Sequence, residues 1–165
     1  MTQKTHLRGL LALTLIAIGP EVVAARPSIT PADIEQVTGL RGVHLVPPTT
    51  TGAVPGRDNY ADSSGKIVLW FHDFDGAGFG RAKAQPAKMM SGIEVEPKLF
   101  HGPVAGLGDE AFDSPDGKVQ HALYVRKGQA AFGIIANLAT SARGDAPTVT
   151  MEQLKALAKI ALSRM

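Results

Sequence analysis

The residues best equipped for chemistry lie in three short stretches. The first is His72-Asp73-Phe74-Asp75, which offers an imidazole and two carboxylates and runs on into Gly76, Gly78 and Gly80. A strand followed by glycines and a helix is where a dinucleotide site forms, because free amides and a helix N-terminus cradle a pyrophosphate. Here the third glycine comes one position early, Arg81 stands in its place, and Pro86 interrupts the helix that should follow. Asp73-Phe74-Asp75-Gly76 also opens like a calcium loop, yet the later positions that need oxygen ligands hold Ala77 and Ala84. What remains is a metal or acid–base site built from His72, Asp73 and Asp75 with His121, provided the strand carrying His121 lies beside theirs. His44, His72, His101 and His121 show no zinc-helix spacing, and histidines scattered this way are usually packing residues.

The second stretch is Gly106-Leu107-Gly108-Asp109-Glu110. Adjacent strand residues face opposite ways, so these two carboxylates cannot share a proton as a catalytic pair. The expectation is that Asp109 caps its own turn while Glu110 stays in water, with a salt bridge to Arg126 as the other structural use. A glycine turn can also bring backbone donors and charges to one point, which makes Gly106, Gly108, Asp109, Glu110 and Arg126 the candidate binding surface. The third stretch, Ser63-Ser64, sits in a loop with no partnered base, and the chain has no Gly-x-Ser-x-Gly elbow, so nucleophilic hydrolysis has no visible basis.

Composition narrows the field further. A chain of 165 residues with 44% hydrophobic content suffices for one domain with a true core. The absence of cysteine removes disulfides, thiolate metal sites, a cysteine nucleophile and a lipidated cysteine together. A net charge of +2 with no Lys/Arg cluster lacks the footprint of a nucleic-acid binder. At the N-terminus, Lys4 and Arg8 precede the apolar run Leu10 to Ile18, then Gly19-Pro20 and the small residues up to Ala25. This is the order of a secretory signal, and the run is about half the roughly 20 residues that a spanning helix needs. Residues 1–25 are therefore expected to be cleaved, leaving 26–165 as a single exported domain, periplasmic or secreted, with no transmembrane segment.

The elements that must position these residues follow from pattern. Thr30 as N-cap, Pro31, and Asp33 in the first turn start a helix, with Ile29 and Ile34 as a hydrophobic staple and Gly39 or Gly42 as its end. Val43 to Val46 reads as a short strand, and Pro47 to Gly65 as a loop. Lys66 to Phe74 is apolar on both faces, hence a central strand broken by Gly76 to Gly80; Arg81 to Met90 is moderately helical. Ile93 to Pro97 alternates like a short strand, and Asp113 to Gly117 is a turn. A hairpin with its loop at Lys127-Gly128 would pair Val125 with Ala130, Leu123 with Phe132 and His121 with Ile134, gathering Leu123, Val125, Phe132 and Ile134 on one face. Thr150 and Gln153 form a capping box for a final amphipathic helix. The fold class expected is α+β: an antiparallel sheet with N- and C-terminal helices packed on one face.

The Gly106-Leu-Gly-Asp-Glu-Ala turn, the Leu123-Tyr-Val-Arg-Lys-Gly128 hairpin arm, and the helix from Thr30 to Val37 resemble small exported bacterial α+β domains of uncharacterised function, many of them actinobacterial-type lipoproteins. This chain departs from many members by lacking the lipid-acceptor cysteine. The resemblance implies an exported α+β domain without an established catalytic site. The reading is thus an exported binding or interaction protein without a cofactor, whose partner is a protein or a cell-envelope ligand. The alternative is a small periplasmic metal-binding protein or enzyme using His72, Asp73, Asp75 and His121.

Overall fold

The computed structural model describes residues 26–84, 87–88, 94–95, 102–113, 120–137 and 149–165. The expected signal segment, His101, and most of the turn expected at Asp113 to Gly117 lie outside the described residues. The elements in chain order are α1 (Pro31–Thr38), β1 (His44–Val46), β2 (Asp58–Ala61), β3 (Ile67–Asp75), α2 (Gly76–Ala84), β4 (Ala87–Lys88), β5 (Glu94–Val95), β6 (Gly102–Pro103), β7 (Glu110–Asp113), β8 (Gln120–Lys127), β9 (Ala130–Asn137) and α3 (Met151–Ser163). Seven strands form one antiparallel sheet in the order β1-β2-β3-β9-β8-β7-β6, and β4 pairs with β5 apart from it. The α+β class is as expected, with α1 and α3 together on one face.

Local chemistry explains the two terminal helices. Thr30 accepts from the Asp33 amide while the Asp33 carboxylate accepts from the Thr30 amide at 2.7 Å, and Gly39 closes α1 at φ +76°. Thr150 and Gln153 repeat the box on α3. Gln153 also reaches back to the carbonyls of Val37 and Thr38, giving the last carbonyls of α1 a donor. At the other end, Arg164 grips the Asp33 carboxylate with two hydrogen bonds of 2.7 and 2.9 Å. The core between these helices and the sheet holds Ile34, Leu69, Phe71, Leu123, Val125, Phe132, Ile134, Leu154 and Leu157, with Phe71 stacked on Phe132 at 5.5 Å. Each such side chain contributes about 2 kcal/mol by leaving water.

Three expectations are corrected. The stretch from Pro47 to Gly65 contains β2, which pairs with both β1 and β3. No run of β-branched residues marks this strand; it is held by the Tyr60 hydroxyl donating to the Ile29 carbonyl at 2.8 Å and by buried Asn59. The glycines after β3 do not merely break it. They open α2, because the Asp75 carboxylate caps the Gly78 amide at 2.6 Å, and the helix stops short of Pro86, beyond which Ala87–Lys88 is a strand. The hairpin loop is Gly128-Gln129, so Lys127 pairs with Ala130, Val125 with Phe132, Leu123 with Ile134 and His121 with Ala136. Gly128 at φ +60° followed by a residue of ordinary φ is the glycine-first order of a type II′ turn. A slip of two residues preserves faces, which is why Leu123, Val125, Phe132 and Ile134 still share one.

α2 lies on the opposite face of the sheet from α1 and α3. Its Phe79 packs on Phe112 and Ala131, with Phe74 and Tyr124 alongside, making a second, smaller apolar cluster.

Candidate functional site

The antiparallel register lines up His72 of β3, Gly133 of β9, Tyr124 of β8 and Phe112 of β7 in one row across the sheet. Three of these residues carry rings and one carries nothing. A Cβ on Gly133 would stand 2.9 Å from the Tyr124 ring, so glycine is what lets that ring lie across the central strand. Tyr124 stacks on Phe112 at 4.8 Å, and Phe74 sits 5.2 Å from the His72 ring and 6.3 Å from that of Tyr124. The result is a cavity of about 360 Å³ on the α2 face, lined by Arg57, His72, Phe74, Gly78, Arg81, Ala82 and Tyr124.

Each wall has an identifiable support. Gly78, Arg81 and Ala82 share one face of α2 through their i, i+3, i+4 spacing. The other face is anchored: Phe79 in the aromatic cluster, and Lys83 in an ion pair with Glu110 of β7. Arg57 comes from the loop before β2, which Asn59 ties down. The Asn59 amide accepts from the Val54 N–H at 2.6 Å and donates to the carbonyls of Val54 and Arg57 at 3.2 and 2.7 Å.

The electrostatics are one-sided. Burial, then the positive charge of Arg57, pushes the His72 imidazole below its ordinary value, against a weaker pull from Asp73. Burial raises the Tyr124 phenol. Near neutral pH the cavity therefore presents a neutral imidazole, a protonated phenol and two guanidinium groups. No carboxylate belongs to its lining, and among the described residues none forms an ion pair with Arg57 or Arg81.

The candidate binding surface at Gly106 to Glu110 does assemble, and its groups engage one another. Gly108 at φ +57° lets the Asp109 amide reach the Arg126 carbonyl at 2.8 Å. Asp109 does not cap its own turn: its carboxylate accepts from the Gly128 amide at 2.6 Å, 19 residues away, and so clamps the β8–β9 loop. Glu110 keeps part of its exposure but makes the salt bridge to Arg126 expected as its other use. It lies opposite Arg126, pairs with it at 3.4 Å and holds Lys83, which keeps its carboxyl below the usual range. Arg126 in turn covers the Phe79 ring at 5.9 Å. Gly106 lies at φ +77° in the same turn.

The four residues of the alternative site do not converge on one point: Asp73 and Asp75 both line a cavity at the sheet end, while His72 lines the α2-face cavity and the register carries His121 away from both. Asp73 alternates with His72 and shares a row with Phe132 on the α1/α3 face, where Arg26 approaches it at 4.0 Å. Asp75 is engaged as the α2 cap. The register sets His121 opposite Ala136, three rows along β9 from Gly133, about 10 Å by strand rise alone. Among the described residues, no group of three or more His, Cys, Asp and Glu could hold a metal ion.

A larger cavity of about 440 Å³ lies at the sheet end, between Arg26, Asp73, Asp75, Lys127 and Met165, with charges of both signs. No described helix is long and apolar enough to cross a membrane. The α2-face cavity was not foreseen from the sequence; its available signal was Gly133, a lone glycine inside the apolar run from Ala130 to Ala136. No family model matches the chain, and neither a curated protein nor a solved structure does.

Proposed function

We propose that this chain is an exported binding protein, of the small bacterial α+β kind it resembles, and that the α2-face cavity receives a small ligand. The observation that carries the reading is the convergence of Arg57, Arg81, His72 and Tyr124 beside the ring of Phe74, with Gly133 giving the Tyr124 ring its place over the sheet. A concave site in which ring surface adjoins several convergent polar groups can fix both the body and the polar head of a small molecule. Its lining holds no serine, threonine or cysteine, and its one hydroxyl, that of Tyr124, is held in the protonated form by burial, which favours binding over nucleophilic catalysis. Export rests on the leader-like order of residues 1–25. The alternative metal or acid–base site loses support from the placement of Asp73 and Asp75.

The test is native mass spectrometry of untagged protein recovered from the exported fraction, compared with an Ala82→Trp variant whose indole would fill the cavity. The expected result is a chain beginning at Arg26 with a small bound mass that Ala82→Trp abolishes without loss of fold. The variant Asp109→Asn should keep that mass, since this carboxylate clamps the β8–β9 loop and does not touch α2. A ligand retained by Ala82→Trp and lost from Asp109→Asn would transfer the site to the Gly106 to Glu110 surface.

A further inference from the structure

The same cavity says more about what it would bind. Resting on the reading of the α2 face as a ligand site, we infer that the ligand is an organic phosphate monoester whose body is flat and unsaturated. Arg57 and Arg81 approach the cavity from different elements, a loop and a helix, and among the described residues neither has a carboxylate partner. Other cations of this face are neutralised within the fold: Lys83 and Arg126 by Glu110, and Arg126 again by Asp109 at 4.0 Å. Nothing described consumes the two guanidinium charges of the cavity, so an occupant carrying two negative charges complements it better than one carrying a single charge.

Geometry selects the phosphate. A guanidinium is a planar fork of N–H donors that matches the oxygens of a phosphate two at a time, and the three terminal oxygens of a phosphate monoester give two such forks more acceptor sites, and more charge, than the two oxygens of a carboxylate. Tyr124 brings a hydroxyl and His72 an imidazole nitrogen, which suit the remaining oxygens. The other walls accept no charge. Phe74 and Tyr124 offer ring surface, while Gly78 and Ala82 keep the helix side low, so the volume beyond the anion is suited to a planar body lying against rings. Beneath, Gly133 leaves room for the Tyr124 ring to lie over the strand, so it is that ring, and not the backbone, that such a body would meet.

The experiment is isothermal titration of the purified chain with phenyl phosphate, inorganic phosphate, benzoate and benzyl alcohol at fixed low ionic strength. Phenyl phosphate should saturate one site and bind at least tenfold more tightly than the other three probes. Arg57→Gln and Arg81→Gln should each weaken it tenfold or more with an unchanged melting temperature, and the lysine replacements should recover part of the loss. Saturable phenyl phosphate binding that both glutamine variants retain, or no phenyl phosphate binding at all, overturns the inference. The two levels separate cleanly. If benzoate or benzyl alcohol binds best and Ala82→Trp abolishes that binding, the phosphate assignment falls and the cavity stands. If no probe binds and Ala82→Trp changes nothing in the captured mass, both fall.

Discussion

Gly106 and Gly108 both take positive φ in the same turn, at +77° and +57°, yet they meet different surroundings. A Cβ at Gly106 would find nothing within 4 Å. A Cβ at Gly108 would stand 2.3 Å from the Arg126 carbonyl oxygen, the atom that accepts the Asp109 amide at 2.8 Å. Alanine at Gly106 therefore costs the left-handed conformation alone, about 1 kcal/mol. At Gly108 the same cost is joined by a clash with backbone, which cannot swing aside. Relief requires β7 and β8 to part at Glu110 and Arg126, adding about 2 kcal/mol in the range of an overpacked interior. The expected losses are thus about 1 kcal/mol for Gly106→Ala and about 3 kcal/mol for Gly108→Ala. For a domain of this size the melting temperature falls by about 4 °C per kcal/mol, so the two variants should melt about 4 and 12 °C below the parent. Urea titration followed by tryptophan fluorescence and circular dichroism gives the free energies directly. Equal losses from the two variants would refute the reasoning, because the backbone conformation would then account for everything and the close approach to Arg126 for nothing.

Two further outcomes follow from contacts made at a distance. The grip of Arg164, more than the capping bonds from Thr30, holds the Asp33 carboxyl down to about 2. A carboxylate depressed in the folded state stabilises at pH values above its unfolded value near 4, and that stabilisation is lost as pH falls toward 2. After solvent screening it amounts to about 1–2 kcal/mol. The difference in urea midpoint between the parent and Asp33→Asn should accordingly shrink between about pH 4 and pH 2, and a constant difference over that window would show that ionisation of Asp33 contributes nothing. Asn59→Ala should cost about 2–3 kcal/mol, because the Val54 amide and the Val54 and Arg57 carbonyls lose their partner in a buried place. It should also weaken whatever the α2-face cavity captures by releasing Arg57; a destabilised variant with undiminished capture would break the link between Asn59 and the cavity.

What the sequence determined by itself is what depends on neighbours three or four residues apart, or on the two-residue period of a strand. Both capping boxes, the Gly39 stop, the central character of Ile67–Asp75 and the inward set Leu123, Val125, Phe132 and Ile134 are of this kind. Even the hairpin, paired two residues away from its expected register, kept its faces because a slip of two is invisible to the period. Tertiary structure decided the rest. β2 exists because Tyr60 and Asn59 find partners in Ile29, Val54 and Arg57, and a strand held by hydrogen bonds to loops leaves no hydrophobic pattern to read. α2 forms through three glycines because Asp75 caps it and Phe79 docks on residues more than 30 positions later, so packing overrides a poor intrinsic propensity. The cavity is the extreme case. Arg57, His72, Arg81, Tyr124 and Gly133 meet because three strands align in register and a helix lies over them, and the spacing of those residues along the chain carries no trace of that alignment.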